Sequence, residues 1–110
     1  MPALNLLLID DSEQDAARVS DTLSRAGYVV NMSRVQSVDG LVEQLAARRF
    51  DVVVAEYALP GFRGARALSL VREHAGDLPF IFVSRAGGED AIVQAMRLGA
   101  QDYIRKENLA

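Results

Sequence analysis

Five residues of this chain could do chemistry together: Asp10, Asp11, Glu56, Ser84 and Lys106. Each stands just after a short apolar run. Asp10 and Asp11 follow Leu4 to Ile9, Glu56 follows Asp51 to Ala55, Ser84 follows Phe80 to Val83, and Lys106 comes after Asp102 to Ile104. If these runs are strands of one parallel sheet, their C-terminal tips share the edge where open α/β sheets hold ligands. Three carboxylates gathered there repel one another and need a cation. Mg2+ is the natural candidate, because it is held by one or two carboxylates with water and phosphate oxygens. A hydroxyl and an ammonium on the opposite side are suited to phosphoryl oxygens. The set therefore reads as a phosphoryl-handling site, with Asp10, Asp11 and Glu56 toward the metal.

The rest of the chain has the pattern needed to position them. Leu4 to Ile9 is apolar almost without a break, as in a parallel strand buried on both faces. Ser12, with Asp15 three residues on, is a helix N-cap, and Ala16, Val19, Leu23 and Ala26 recur at helical spacing until Gly27. Tyr28 to Met32 predicts a second strand. Val38, Leu41, Val42, Leu45 and Ala46 form the stripe of a second helix ending near Arg48 and Arg49. After the third strand, Pro60, Gly61 and Gly64 lead into a helix with Ala67, Leu68 and Val71 inward. His74, at its end, reads as a surface residue without chemistry. A fourth helix opens at Gly87 and Gly88, carries Ala91, Ile92, Ala95 and Met96, and ends at Gly99. This β-α-β-α-β-α-β-α-β order implies right-handed crossovers and a doubly wound parallel sheet. No fifth helix follows in the sequence, so the flank of the last strand is expected to be exposed and adhesive.

Composition narrows the function classes. The 110 residues suit one domain, half hydrophobic and a quarter charged, with a net charge of -3. The Lys and Arg are scattered, which argues against nucleic-acid binding. With no Cys and one His, thiol catalysis and Cys or His metal clusters are excluded. No apolar run reaches membrane-span length and no signal-peptide pattern develops, so a cytoplasmic protein with no membrane partner is expected.

LLLIDDSE, FDVVVAEYALPGFRG, IFVSRAG and GAQDYIRKENL together, in this order and spacing, resemble the receiver domains of two-component response regulators over about Leu6 to Leu109. The resemblance implies a flavodoxin-like fold with strand order 2-1-3-4-5, and a module that is not an independent enzyme. It assigns Asp10 and Asp11 to the acidic pair that holds Mg2+, and Glu56 to the phospho-acceptor position. Ser84 and Tyr103 become switch residues, Lys106 the phosphoryl contact, and helix four with strand five, including Arg97 and Arg105, the output or homodimer face. The implied partners are a histidine kinase or output domains, with residues 1–110 as the N-terminal module of a larger signalling protein.

Two departures stand out. The family's acceptor is Asp, and Glu carries its carboxylate roughly 1.5 Å further, the length of one carbon–carbon bond. Misplacement of about an ångström can cost a hundredfold in a transfer of this kind. Glu56 therefore reads as a poor acceptor that imitates the phosphorylated state, making the domain a pseudo-receiver that signals through protein contacts. Glu107 stands where many receivers have Pro, and the sequence leaves both isomers of the peptide bond after Lys106 open. Plainer readings compete: Asp10 and Asp11 as acids at a helix N-terminus, Glu56 as a structural partner of Lys106, Ser84 as a cap, Tyr103 as packing and Lys106 as a solvated lysine. Two further readings are a true receiver phosphorylated slowly at Glu56 or a nearby acid, and a flavodoxin-like small-ligand binder. Against the last, acids follow strand one where a phosphate loop would stand.

Overall fold

The computed structural model describes residues 2–85 and 88–109. Five parallel strands form one sheet in the order β2-β1-β3-β4-β5. They are β1 (Ala3–Ile9), β2 (Val29–Val35), β3 (Val52–Glu56), β4 (Phe80–Ser84) and β5 (Asp102–Arg105). Between them run α1 (Glu13–Arg25), α2 (Val38–Ala47), α3 (Gly64–Ala75) and α4 (Glu89–Arg97). A 3-10 turn, Lys106–Asn108, follows β5, and no α-helix follows it among the described residues.

The pleat of the central strands divides the core. Leu7, Ile9, Val53, Ala55, Phe80, Phe82 and Tyr103 pack on one face with residues of α2, α3 and α4. Leu6, Leu8, Val54 and Val83 pack on the other with Val19 of α1. Successive residues alternate between the two clusters, as strand geometry requires. Full burial of each Leu, Ile, Val or Phe is worth about 1.5–3 kcal/mol, so the strands that carry the site lie in the most strongly held part of the molecule.

Several local expectations needed correction. β2 continues past Met32 to Val35, pairing with β1 over seven residues. As an edge strand it tolerates Asn31, Ser33 and Arg34, polar residues that hide the strand from a search for apolar runs. β3 begins at Val52 and includes Glu56, while Asp51 accepts a hydrogen bond from the Asn5 N–H. On α4, Ala95 is buried but Met96 is exposed, because the helix lies at the margin of the core. Gly99 follows the C-cap of α4 with φ +101°, a conformation that favours glycine, as expected for a C′ position. Gly87 lies outside the described residues. His74 is exposed.

The flank of β5 carries an apolar groove of about 120 Å³ lined by Val19, Thr22, Leu23, Val54, Ile81, Val83, Ile104 and Leu109. Arg18 ties down the terminal turn, donating to the carbonyls of Lys106 at 2.6 Å and Leu109 at 3.3 Å.

Candidate functional site

The strand register sets the level of each functional side chain. Ile9 pairs with Ala55, Ala55 with Phe82, and Phe82 with Tyr103, so Asp10 and Glu56 stand one step beyond a common row. The Asp10 N–H donates to the Val35 carbonyl at 3.0 Å, which extends the ladder by one residue. Counting by twos from Leu6 and Leu8 leads to Asp10, and from Val54 to Glu56. From Val83 it leads to Arg85, and from Ile104 to Lys106. Strand parity thus aims four charged residues at the face covered by α1. Asp15, one helical turn before the buried Val19, comes down on them from that helix.

Lys106 is the centre of the cluster. Its ammonium donates to Asp10 Oδ2 at 2.8 Å and Asp15 Oδ2 at 2.7 Å, and stands 2.9 Å from Glu56 Oε1. An ammonium has three protons, and each has a carboxylate. Asp10, Asp15 and Lys106 are 1%, 2% and 3% exposed, so these contacts are made away from water. Burial by itself pushes the Lys106 pKa down. The hydrogen bonds to Asp10, Asp15 and Glu56 outweigh it and raise the pKa well above the usual lysine range. Burial likewise opposes the charge on Asp15, but the bonds from Lys106 and Arg85 hold its pKa below the ordinary value. Arg85 reaches Asp15 Oδ1 at 2.7 Å from the β4–α4 side, and Arg18 approaches the same oxygen at 3.8 Å.

Glu56 has both oxygens engaged. Oε1 faces Lys106, and Oε2 accepts the Ala58 N–H at 2.8 Å in a turn of its own making. Asp10 Oδ1 accepts the Ser12 N–H at 3.1 Å. The Asp15 N–H donates to Ser12 Oγ at 3.1 Å, as the N-cap pattern predicts. The Asp15 carboxylate, by contrast, points into the site.

The structure thus brings Asp10, Glu56 and Lys106 together and leaves Asp11 out. Asp11 is exposed, and its side chain has no hydrogen bond or ion pair with another described residue. Among the described residues no group of three or more acids is arranged to hold a metal ion. Lys106 occupies the space between Asp10 and Glu56 that a cation would need. As they stand, these donors do not fit Mg2+. The peptide bond after Lys106 is trans, and the lysine reaches all three carboxylates nonetheless.

Ser84 is fully buried at the end of β4, and Tyr103 is largely buried on β5. The Tyr57 ring, next to Glu56, meets Tyr103 edge-on at 5.5 Å and Phe82 at 5.0 Å, and its hydroxyl donates to Gln94 Oε1 of α4 at 3.0 Å. Three residues escaped the sequence reading: Asp15, Arg85 and Tyr57. Arg97 and Arg105 lie exposed on α4 and β5.

Residues 6–109 match the description response regulator receiver domain. The chain belongs to that family. It is 33% identical to the response regulator protein FleR of Pseudomonas aeruginosa over 104 residues, covering 94% of this chain and 22% of FleR. It is 29% identical to the chemotaxis protein CheY of Treponema pallidum, covering 92% of this chain and 71% of that one. The crystal structure of NtrX from Brucella abortus superposes with a TM-score of 0.80 at 25% identity, over 94% of this chain and 24% of that one. The chain therefore spans about a fifth of the length of FleR. The family and the five-stranded 2-1-3-4-5 order agree with a flavodoxin-like receiver of two-component signalling. Receiver domains generally use Mg2+ for phosphorylation, which sharpens the contrast with the ammonium-filled cluster of this chain. No helix among the described residues is long and apolar enough to cross a membrane.

Proposed function

We propose that this chain is an atypical receiver, a pseudo-receiver in which Glu56 replaces the acceptor Asp and signalling runs through protein contacts. The reading is carried by the double engagement of Glu56, with Oε1 2.9 Å from Lys106 and Oε2 bonded to the Ala58 N–H. An acceptor must present a free oxygen in line with phosphorus, and both oxygens of Glu56 are committed. Its added methylene delivers the carboxylate to the lysine that would otherwise meet a phosphoryl oxygen.

In this reading the module works within a larger signalling protein, and its partners are a histidine kinase or output domains. The contact face is α4 with β5. There Val93, Met96 and Leu98 are 48%, 44% and 41% exposed beside Arg97 and Arg105, a mixed apolar and cationic surface. A homodimer through the same face is the alternative occupant.

Intact-mass measurement after incubation with Mg2+ and a small acyl phosphate tests the acceptor reading. The wild-type chain should gain no phosphoryl group, whereas Glu56→Asp combined with Arg85→Ala, which draws the carboxylate back from Lys106 and removes the guanidinium paired with Asp15, should gain one. Labelling of the wild type, at whatever rate, would establish acceptor chemistry at Glu56 or a nearby acid and end the pseudo-receiver reading.

A further inference from the structure

We propose that Asp15 and Arg85 make the site self-neutralising, with Asp15 holding Lys106 and Arg85 over Asp10 and Glu56 so that the chain's own cations exclude a divalent metal. The inference rests on the reading of this cluster as a receiver site that does not cycle phosphate, and it concerns a different property of it. Asp15 is the pivot. Its two oxygens are divided between two cations, Oδ2 to Lys106 at 2.7 Å and Oδ1 to Arg85 at 2.7 Å, and the carboxylate is 2% exposed. It therefore joins the buried floor of the site to its rim.

Lys106 alone would leave the cluster anionic, since it faces Asp10, Asp15 and Glu56. Arg85 at 2.7 Å and Arg18 at 3.8 Å supply the remaining positive charge. Asp10 and Glu56 add to the attraction on Arg85, so the guanidinium stands within the field of the whole cluster. A dication arriving from solvent would meet Arg85 first, with its side chain 62% exposed, and would then have to displace an ammonium hydrogen-bonded to Asp10 and Asp15 and ion-paired with Glu56. Charge and space are thus both taken by side chains. The arrangement also joins the β4–α4 side of the site to α1 without a ligand.

The test uses Mn2+ as the probe, with free Mn2+ read by electron paramagnetic resonance and no phosphodonor present. Wild type, Arg85→Ala, Asp15→Asn and Arg66→Ala are compared. Arg66→Ala makes the same charge change as Arg85→Ala, but at an exposed position of α3 outside the cluster. Arg85→Ala should bind Mn2+ about tenfold more tightly than wild type, the scale of one partly screened charge removed at short range. Arg66→Ala should match wild type. Asp15→Asn is the sharper variant. It deletes a negative charge, so simple charge counting demands weaker binding, whereas release of Arg85 and Lys106 demands tighter binding.

Tighter binding in both Arg85→Ala and Asp15→Asn supports the proposal. Equal affinity in wild type and Arg85→Ala overturns it, as does weaker binding in a folded Asp15→Asn. Should Asp15→Asn fail to fold, Arg85→Ala decides alone, with Arg85→Lys expected to restore the wild-type affinity. Labelling of the wild type by an acyl phosphate would reject the pseudo-receiver reading without altering any of these affinities.

Discussion

Lys106 shows how one side chain can set the state of a site. Its ammonium is 3% exposed and meets Asp10, Asp15 and Glu56 at 2.7 to 2.9 Å. Such a charge is tolerable only while every partner is present, because removing one member of a buried ion pair strands the others. Lys106→Met should therefore lower stability by about 3–5 kcal/mol, the usual cost of a broken buried pair. That is a large share of the roughly 5–15 kcal/mol that holds a small domain together. Urea unfolding followed by circular dichroism reads the loss, and a change below about 1 kcal/mol would show that the carboxylates relax into solvent. Asp10, Glu56 and Lys106 were legible as a charged set because each follows an apolar run. Asp15 was not, because an acid three residues after Ser12 satisfies the N-cap pattern by itself. The available signal was its position four residues before Val19, on the inward stripe of α1. Arg85 carried a similar signal, two residues beyond Val83 with strand parity toward the same face.

At the scale of elements, the parallel order of strands and helices was legible because each buried strand reads as an apolar run and each helix keeps its stripe. What escaped was polar. β2 reaches Val35 through Asn31, Ser33 and Arg34, which an edge strand can leave in water. The start of α3 depends on a close approach that sequence reading saw only as a turn. A Cβ on Gly64 would come 2.5 Å from Phe82 Cε1, 3.1 Å from the Tyr57 carbonyl oxygen and 3.2 Å from Tyr57 Cα. Phe82 is fully buried and the other two atoms are backbone, so none can yield freely. Gly64→Ala should cost about 1–3 kcal/mol, as overpacking of a well-filled core does. The damage should also move Tyr57, whose ring meets Phe82 and Tyr103, and hence its hydroxyl bond to Gln94. Thermal unfolding together with faster amide exchange in α4 is the expected result. Unchanged exchange in α4 would mean that Tyr57 does not tie the third strand to that helix.

For the molecule as a whole, the cluster joins β1, β3, β5 and α1, so its titration becomes a property of the fold. The Asp15 pKa lies below its ordinary 3.8 in the folded chain, because the bonds from Lys106 and Arg85 outweigh burial. A depressed carboxylate pKa adds stability that is fully present above the unfolded value and is lost as pH falls through the folded one. Lys106 is shifted the opposite way, above its ordinary 10.5. Its contribution is fully present below that value and disappears as pH rises through the raised folded pKa. The contribution of these two groups should therefore be flat between these limits and fall at both ends. Urea midpoints of wild type measured down from about pH 5 should drop as pH passes below 4. Asp15→Asn, less stable at neutral pH, should show a shallower acid limb, the difference being at most about 1.4 kcal/mol per pH unit for one titrating group. Arg85→Ala should fall between them, since Asp15 keeps Lys106 but loses its second cation. Equal acid slopes in wild type and Asp15→Asn would mean that Asp15 stays charged in the unfolded chain as readily as in the folded one, and that its ion pairs do not hold α1 to the sheet.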